Sequence, residues 1–186
     1  AAELTPAVTP AFIGISWNLR VDAPATSQPF GPFFGIEAYD ASSGIARLAA
    51  FGVDATTGEI LYTLRDDGVL PGFLVADTTT VNLGEWNTFQ IILDYGNSNA
   101  ILRLNGNTLL TTPFEQDGTA FTDADLTAIA ASFDAASQAA TGTAYFDNYF
   151  VVEGDTFENV VPEPTSLAIL ALGGVTLAFR RSRQPA

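Results

Sequence analysis

Apolar and polar residues alternate in short runs along most of this chain. The clearest run is Ile15–Val21, in which every second residue is apolar. Such alternation places one set of side chains on each face of an extended strand. Similar runs recur between Gly, Pro, Asp and Asn residues, and they predict strands at Phe12–Val21, Phe33–Tyr39, Ile45–Val53, Glu59–Arg65, Phe73–Ala76, Thr79–Leu83, Trp86–Tyr95, Ala100–Leu104, Thr108–Thr112, Ala128–Phe133 and Thr143–Glu153.

The connections between these runs favour antiparallel pairing. Asn105-Gly106-Asn107 separates two of them and is a strong hairpin signal. No long amphipathic helix is predicted, and the acidic stretch Asp117–Leu126 is expected to be a loop with at most one helical turn. The sequence therefore predicts an all-β antiparallel β-sandwich over residues 11–154.

The C-terminal segment has a different pattern. A Pro-Glu-Pro break precedes the apolar run Leu167–Phe179, and an arginine cluster follows it. As a helix this run is only about 20 Å long, but arginines at its end can extend to the headgroups. We expect a transmembrane helix at 165–186 with the C-terminus in the cytoplasm, and a buried helix or a disordered tail is the alternative. The sorting and anchoring residues are then Pro162, Glu163, Pro164, Gly174, Arg180, Arg181 and Arg183.

This order of motifs, from Pro162 to Arg183, resembles the PEP-CTERM sorting signal of exported proteins of Gram-negative bacteria. The resemblance implies residence in the inner membrane and processing by an exosortase near the Pro-Glu-Pro. Residues 155–164 are then a Pro-containing linker, and residues 1–10 are an extended N-terminal arm. Export also leads us to expect that a signal peptide is removed before Ala1.

Composition narrows the function. The chain has 21 Asp and Glu against 7 Arg and a net charge of −14, which excludes nucleic acid as a partner. It lacks Cys, His and Lys, so thiol, imidazole and Schiff-base chemistry are not available to it. No strand carries three acids at alternating positions, the pattern by which a glycosidase of this fold would hold two carboxylates beside the sugar bond. We therefore expect a protein that is not an enzyme and has no cofactor.

The second half of the domain resembles a known family. The Trp86–Tyr95 strand, the Leu102–Asn107 hairpin and the late strand Tyr145–Val152 are similar to those of concanavalin A-like or laminin-G-like jelly rolls. The resemblance implies a jelly-roll sandwich and leaves the activity open.

Three groups of residues are candidate sites. Asp134, Asp147 and Asn148 are candidate calcium ligands, although solvated loop acids are the favoured interpretation. Phe30, Phe33 and Phe34 form either a partner-docking patch or the start of a core strand. The third group either stacks on sugars or packs in the sheets, and it consists of Tyr39, Tyr62, Trp86, Tyr95, Tyr145 and Tyr149.

Two functions follow from these features. The first is a non-enzymatic periplasmic β-sandwich anchored in the bacterial inner membrane, acting as an accessory or structural subunit of a larger membrane complex. The alternative is an exosortase-processed protein, released to the cell surface, that binds polysaccharide. Retention or cleavage of the C-terminal tail distinguishes the two.

Overall fold

The structure, a computed structural model, describes residues 10–25, 28–41, 44–65, 74–130 and 135–161. These ranges contain ten strands and two short helices. They are β1 (Phe12–Asp22), β2 (Pro32–Asp40), β3 (Ala46–Asp54), β4 (Glu59–Thr63), β5 (Leu74–Thr80), β6 (Asn87–Asp94), β7 (Asn99–Leu104), β8 (Asn107–Pro113), β9 (Asp123–Ala130), α1 (Ala135–Ala139), β10 (Thr143–Gly154) and α2 (Phe157–Val160).

The strands form two five-stranded sheets. Sheet A has the order β10-β1-β6-β7-β8, and sheet B has the order β5-β4-β3-β2-β9. The pairings within both sheets are antiparallel. The prediction of an antiparallel two-sheet sandwich is therefore correct, and the alternating sequence of β1 is the direct reason for it.

The core lies between the inner faces of the two sheets. Trp17 of β1 stacks on Phe89 of β6, with ring centroids 5.6 Å apart. Phe51 of sheet B meets both rings edge-on, at 6.2 Å from Trp17 and 5.2 Å from Phe89. All three side chains are fully buried. Edge-to-face contact of this kind adds to the free energy gained by removing the rings from water, so this trio joins the two sheets.

The hairpin between β7 and β8 has the predicted turn. Asn105 and Gly106 both have positive φ, at 50° and 82°. A two-residue turn with two positive φ angles matches the twist of the flanking strands, and Asn-Gly tolerates that backbone well.

Two parts of sheet B differ from the sequence prediction. β9 begins at Asp123, inside the stretch expected to be a loop, and β5 is one strand where two runs are predicted. β9 lies at the edge of sheet B. Charged residues on an edge strand remain hydrated while its backbone pairs on one side only, so an acidic sequence is compatible with a strand there.

The predicted transmembrane helix is corrected. Among the residues that the structure describes, none of the helices has the length and apolar character needed to cross a bilayer. The described fold thus gives the transmembrane helix predicted at 165–186 no support, and that segment lies outside the described ranges.

The segments flanking the sandwich are described only in part. Of the predicted N-terminal arm, residues 1–10, only Pro10 falls within the described ranges. Helix α2 lies within the predicted linker, residues 155–164.

Candidate functional site

Two exposed aromatic rings lie on the outer face of sheet A, near the C-terminal end of β1. Trp86, immediately before β6, is 48% exposed, and Tyr145 on β10 is 43% exposed. The guanidinium carbon of Arg20 lies 4.3 Å from the centroid of the Tyr145 ring and 5.7 Å from that of Trp86. We call Arg20, Trp86 and Tyr145 the aromatic platform.

The strand register places the platform on this face. Odd-numbered residues of β1 such as Leu19 belong to the core, so the even-numbered Arg20 points outward. Tyr145 lies opposite Arg20 in the pairing of β1 with β10. Arg20 Nε is also 3.2 Å from Asp22 Oδ1. Contacts with two rings and one carboxylate hold the guanidinium in place, and each cation–π contact contributes about 0.5–1 kcal/mol at an exposed site.

A row of polar side chains borders the platform. Asn18 of β1 lies opposite Thr88 of β6 on one side and Asp147 of β10 on the other. The Thr88 hydroxyl donates a hydrogen bond to Asn18 Oδ1 over 2.9 Å. Ring faces beside hydroxyl, amide and carboxylate groups provide both an apolar surface and hydrogen-bonding partners, the combination that polar ring ligands require.

The outer face of sheet B carries a network of charged groups. Glu37 Oε2 accepts hydrogen bonds from the Tyr39 hydroxyl at 2.9 Å and the Thr127 hydroxyl at 2.8 Å. Arg47 donates to Glu37 Oε1 through Nη1. It also donates to Glu115 through Nε at 2.7 Å and Nη2 at 2.9 Å. We call these five residues the Arg47 network.

Burial and charge shift two pKa values in the Arg47 network. Burial, and then the neighbouring Glu37 carboxylate, raise the pKa of Tyr39 from 10.0 to about 12. Burial lowers the pKa of Arg47, but its hydrogen bonds and charge interactions with Glu115 and Glu37 outweigh that effect and raise the pKa above its ordinary value. The arginine is therefore permanently charged, and both carboxylates are engaged by groups of the chain itself.

The three candidate phenylalanines do not share one surface. Phe30 is 47% exposed, whereas Phe33 and Phe34 are buried. Phe34 belongs to the main core between the sheets. Phe33 lies against Gly52 on the other face of sheet B, where a Cβ on Gly52 would come within 2.7 Å of its ring. Of the predicted docking patch, only Phe30 is presented to solvent.

The candidate calcium ligands are only partly described. Asp134 lies outside the described ranges. Asp147 and Asn148 are neighbours on β10, where Asp147 Oδ1 accepts a hydrogen bond from the Asn148 N–H at 2.8 Å and Asn148 has a φ of 51°. Within the described part of the chain, Asp, Glu, His and Cys residues form no group of three suited to a metal ion.

The candidate aromatic residues differ in their exposure to solvent. Trp86, Tyr145 and Tyr149 are exposed, and Tyr62 is buried. Tyr39 and Tyr95 are half-buried. The predicted sorting residues, from Pro162 to Arg183, lie outside the described ranges.

Sequence reasoning does not single out two of the residues that matter here. Arg20 has only one signal, its outward position in an alternating strand followed two residues later by a polar partner, Asp22. Glu115 has none, because it reaches Arg47 through the crossover from β8 to sheet B, which sequence alone does not specify.

The C-terminal segment matches a known family model. Residues 160–183 match the PEP-CTERM protein-sorting motif, which confirms the resemblance drawn from the Pro-Glu-Pro, the apolar run and the arginines. Signals of this kind are processed by exosortase. A search of curated protein sequences finds no match to the chain.

The sandwich is similar to several solved structures. A Trypanosoma rangeli sialidase, solved in complex with a difluoro sugar acid, superposes with a TM-score of 0.53 at 10% identity, over 80% of this chain and 22% of the sialidase. An alginate lyase of Pseudomonas aeruginosa superposes with a TM-score of 0.52 at 16% identity, over 77% of this chain and 65% of the lyase. The alginate lyase AlyC3 gives 0.57 at 9% identity, again over 77% and 65%. The chain thus spans about a fifth of the sialidase and just under two thirds of the lyases, and the likeness shows a shared fold.

The predicted location is corrected by the motif. Single-pass residence in the inner membrane, with a periplasmic domain and a cytoplasmic C-terminus, is wrong because the matched segment is a sorting signal for surface export. The segment that would have provided the anchor lies outside the described ranges.

Proposed function

We propose that this chain is exported to the cell surface with processing by an exosortase, and that its sandwich binds a neutral polysaccharide without catalysis. The observation that carries the binding proposal is the aromatic platform on the outer face of sheet A. Trp86 and Tyr145 are large, half-exposed rings that both contact the Arg20 guanidinium. Exposed rings of this kind remove a ligand's apolar face from water at little conformational cost.

Charge supports a neutral rather than an acidic ligand. The chain carries a net charge of −14, and the only cation of the platform, Arg20, is already paired with Asp22. A strongly acidic protein repels a polyanion at long range. The sugar would therefore be held by ring stacking and by hydroxyl contacts with the polar row of Asn18, Thr88 and Asp147.

The comparisons support a sugar ligand in general terms. The similar structures include a sialidase in complex with a sugar acid and two alginate lyases. These are carbohydrate-active proteins that share the two-sheet architecture, although identities of 9–16% carry no more than the fold.

The Arg47 network supports binding without catalysis. An acid–base mechanism needs a carboxyl group that is free to exchange a proton with the substrate. Glu37 and Glu115 are instead held by Arg47, and Glu37 also accepts hydrogen bonds from Tyr39 and Thr127. The accessory-subunit function depended on a membrane anchor, and we do not carry it further.

Binding is tested with the full-length chain in mild detergent against a panel of neutral and acidic polysaccharides. We expect binding to one or more neutral polymers, and we expect Trp86→Ala and Tyr145→Ala each to lower the affinity about tenfold or more, because aromatic anchors dominate such contacts. The matched control is Phe30→Ala, since Phe30 is a comparably exposed ring, at 47%, away from the platform.

Two results would contradict the binding of a neutral polysaccharide through the aromatic platform. One is binding that survives both platform substitutions. The other is binding restricted to acidic polymers, which would show that charge rather than ring stacking selects the ligand. Release of a reducing-end product from the bound polymer would refute the absence of catalysis.

A further inference from the structure

Helix α2 lies on the outer face of sheet A, near the start of β1, whereas the aromatic platform lies near the end of that strand. The Phe157 ring meets the ring of Phe12 edge-on, with centroids 6.5 Å apart. The guanidinium carbon of Arg103 lies 5.8 Å from the centroid of Phe157. At the end of the helix Val160 is only 1% exposed. A helix of four residues has almost no stability alone, so these contacts with the sheet are what keep it folded.

Two glycines make this close approach possible. A Cβ on Gly14 would lie 2.5 Å from the Val160 carbonyl oxygen and 2.9 Å from Val160 Cβ. A Cβ on Gly154 would lie 2.8 Å from Val160 Cγ1. Any other residue at Gly14 would push against backbone, which cannot yield as a flexible side chain can. We call Phe12, Gly14, Arg103 and Gly154 the α2 docking site.

The docked helix overlaps the sorting motif. The matched motif begins at residue 160, and Val160 is the residue buried against Gly14. Only Val161 stands between that buried contact and Pro162 of the Pro-Glu-Pro. The folded domain therefore continues into the first residue of the motif.

From this overlap we infer that the α2 docking site restrains processing of the sorting motif, so that the exosortase acts on chains in which α2 has opened from sheet A. An enzyme that cleaves or exchanges a peptide bond must enclose the chain on both sides of that bond. A buried Val160 keeps the domain side of the Pro-Glu-Pro out of such a cleft. Cleavage of a transiently opened segment follows the equilibrium population of the open state when opening is fast.

The inference rests on the motif match and on α2, and it is independent of sugar binding. The aromatic platform and the α2 docking site occupy opposite ends of β1, around Arg20 and Gly14 respectively. Arg20 lies six positions after Gly14 along the strand, about 20 Å away. Substitutions at one are therefore expected to leave the other intact.

The first measurement is hydrogen exchange of residues 157–161 in the full-length chain. Gly14→Ala is expected to speed exchange in this segment about tenfold, because the added methyl group displaces Val160 from the sheet. The matched control is Gly96→Ala, whose Cβ would meet only Asp94 Oδ1 at 3.4 Å. Phe157→Ala provides a second opening variant that adds no atom to β1.

The second measurement is the rate of tail processing in a bacterial host that carries an exosortase, followed by the intact mass of this chain over time. Gly14→Ala and Phe157→Ala are expected to be processed about tenfold faster than the parent and than Gly96→Ala, in step with exchange. Faster exchange with unchanged or slower processing would overturn the inference. Unchanged exchange in both variants would overturn it as well, because α2 would then not be held by this site.

The experiment distinguishes opening of α2 from unfolding of the whole domain. If Gly14→Ala fails to accumulate, Phe157→Ala decides the question, because truncating a ring on the outer face leaves the core unchanged. Exchange of core amides in β6, measured in the same experiment, distinguishes local opening of α2 from global unfolding.

Discussion

The outer faces of the two sheets use similar residue types in opposite ways. On sheet B, Arg47 is almost enclosed between Glu37 and Glu115, with side-chain exposures of 15%, 9% and 2%. On sheet A, Arg20 lies at the surface between two half-exposed rings. A charge buried together with its partners stabilises the fold, whereas rings left half in water have contact area to offer a ligand. Burial of the arginine and its partners, rather than residue type, separates the arginine that stabilises the fold from the one at the proposed binding surface.

The largest effect that follows from this comparison concerns Arg47. Arg47→Met keeps much of the side-chain volume but leaves two buried carboxylates without their cation. We expect the free energy of unfolding to fall by about 3–5 kcal/mol, the usual cost of removing one partner of a buried ion pair. Urea unfolding of the full-length chain in mild detergent measures it.

The control for Arg47 is an exposed pair of the same chemistry. Arg65 and Asp117 are 2.8 Å apart, but their side chains are 46% and 85% exposed. Arg65→Met should cost no more than about 1 kcal/mol. Equal losses in the two variants would show that the Arg47 network is no more important to the fold than a surface ion pair.

A smaller effect concerns Tyr39 and pH. Tyr39→Phe removes the hydrogen bond to Glu37 and should cost about 1 kcal/mol at neutral pH. Because the folded chain raises the pKa of Tyr39 from 10.0 to about 12, its contribution is present below pH 10 and is lost as the pH rises through 12. Stability measured from pH 8 to pH 12 should therefore fall less steeply in Tyr39→Phe than in the parent chain. Parallel curves would show that Tyr39 ionises equally easily in the folded and unfolded chains.

The smallest expected effect on stability is that of Arg20→Met, which is the surface equivalent of Arg47→Met. Arg20→Met should change the free energy of unfolding by no more than about 0.5 kcal/mol, as is usual for a surface substitution. It should weaken polysaccharide binding about two- to fivefold, because the rings lose the cation that fixes them. A loss of stability with unchanged binding would make Arg20 a structural residue like Arg47.

Much of the fold is predictable from local sequence, for identifiable physical reasons. β1 alternates because one of its faces is buried, and the Asn105-Gly106 turn follows from two positive φ angles that few other residues adopt easily. β9 is not predictable in this way, because an edge strand keeps its acids hydrated and has no need of an apolar pattern. The transmembrane helix was inferred from an apolar run and an arginine cluster, features that also belong to a sorting signal.

The site residues were less predictable than the strands. The sequence contains Trp86 and Tyr145, but periodicity does not show which aromatic rings remain exposed once loops have folded over a sheet. The Arg47 network joins residues 37 and 115 through the crossover from β8 to β9, a long-range contact that leaves no local pattern. The sequence does not show whether Phe33 and Phe34 face solvent or the core. Neighbouring residues of a strand point to opposite faces, but both are buried here because both faces of β2 are covered at this point.

The two tryptophans give the molecule separate optical reporters. Trp17 is fully buried and stacked on Phe89, whereas Trp86 is half-exposed beside Arg20. The chain contains no third tryptophan. Emission from Trp17 should therefore follow the integrity of the core, while emission from Trp86 responds to whatever covers the platform and remains open to aqueous quenchers. One fluorescence titration, repeated with Trp86→Phe, thus records folding and ligand occupancy as two signals at different emission wavelengths.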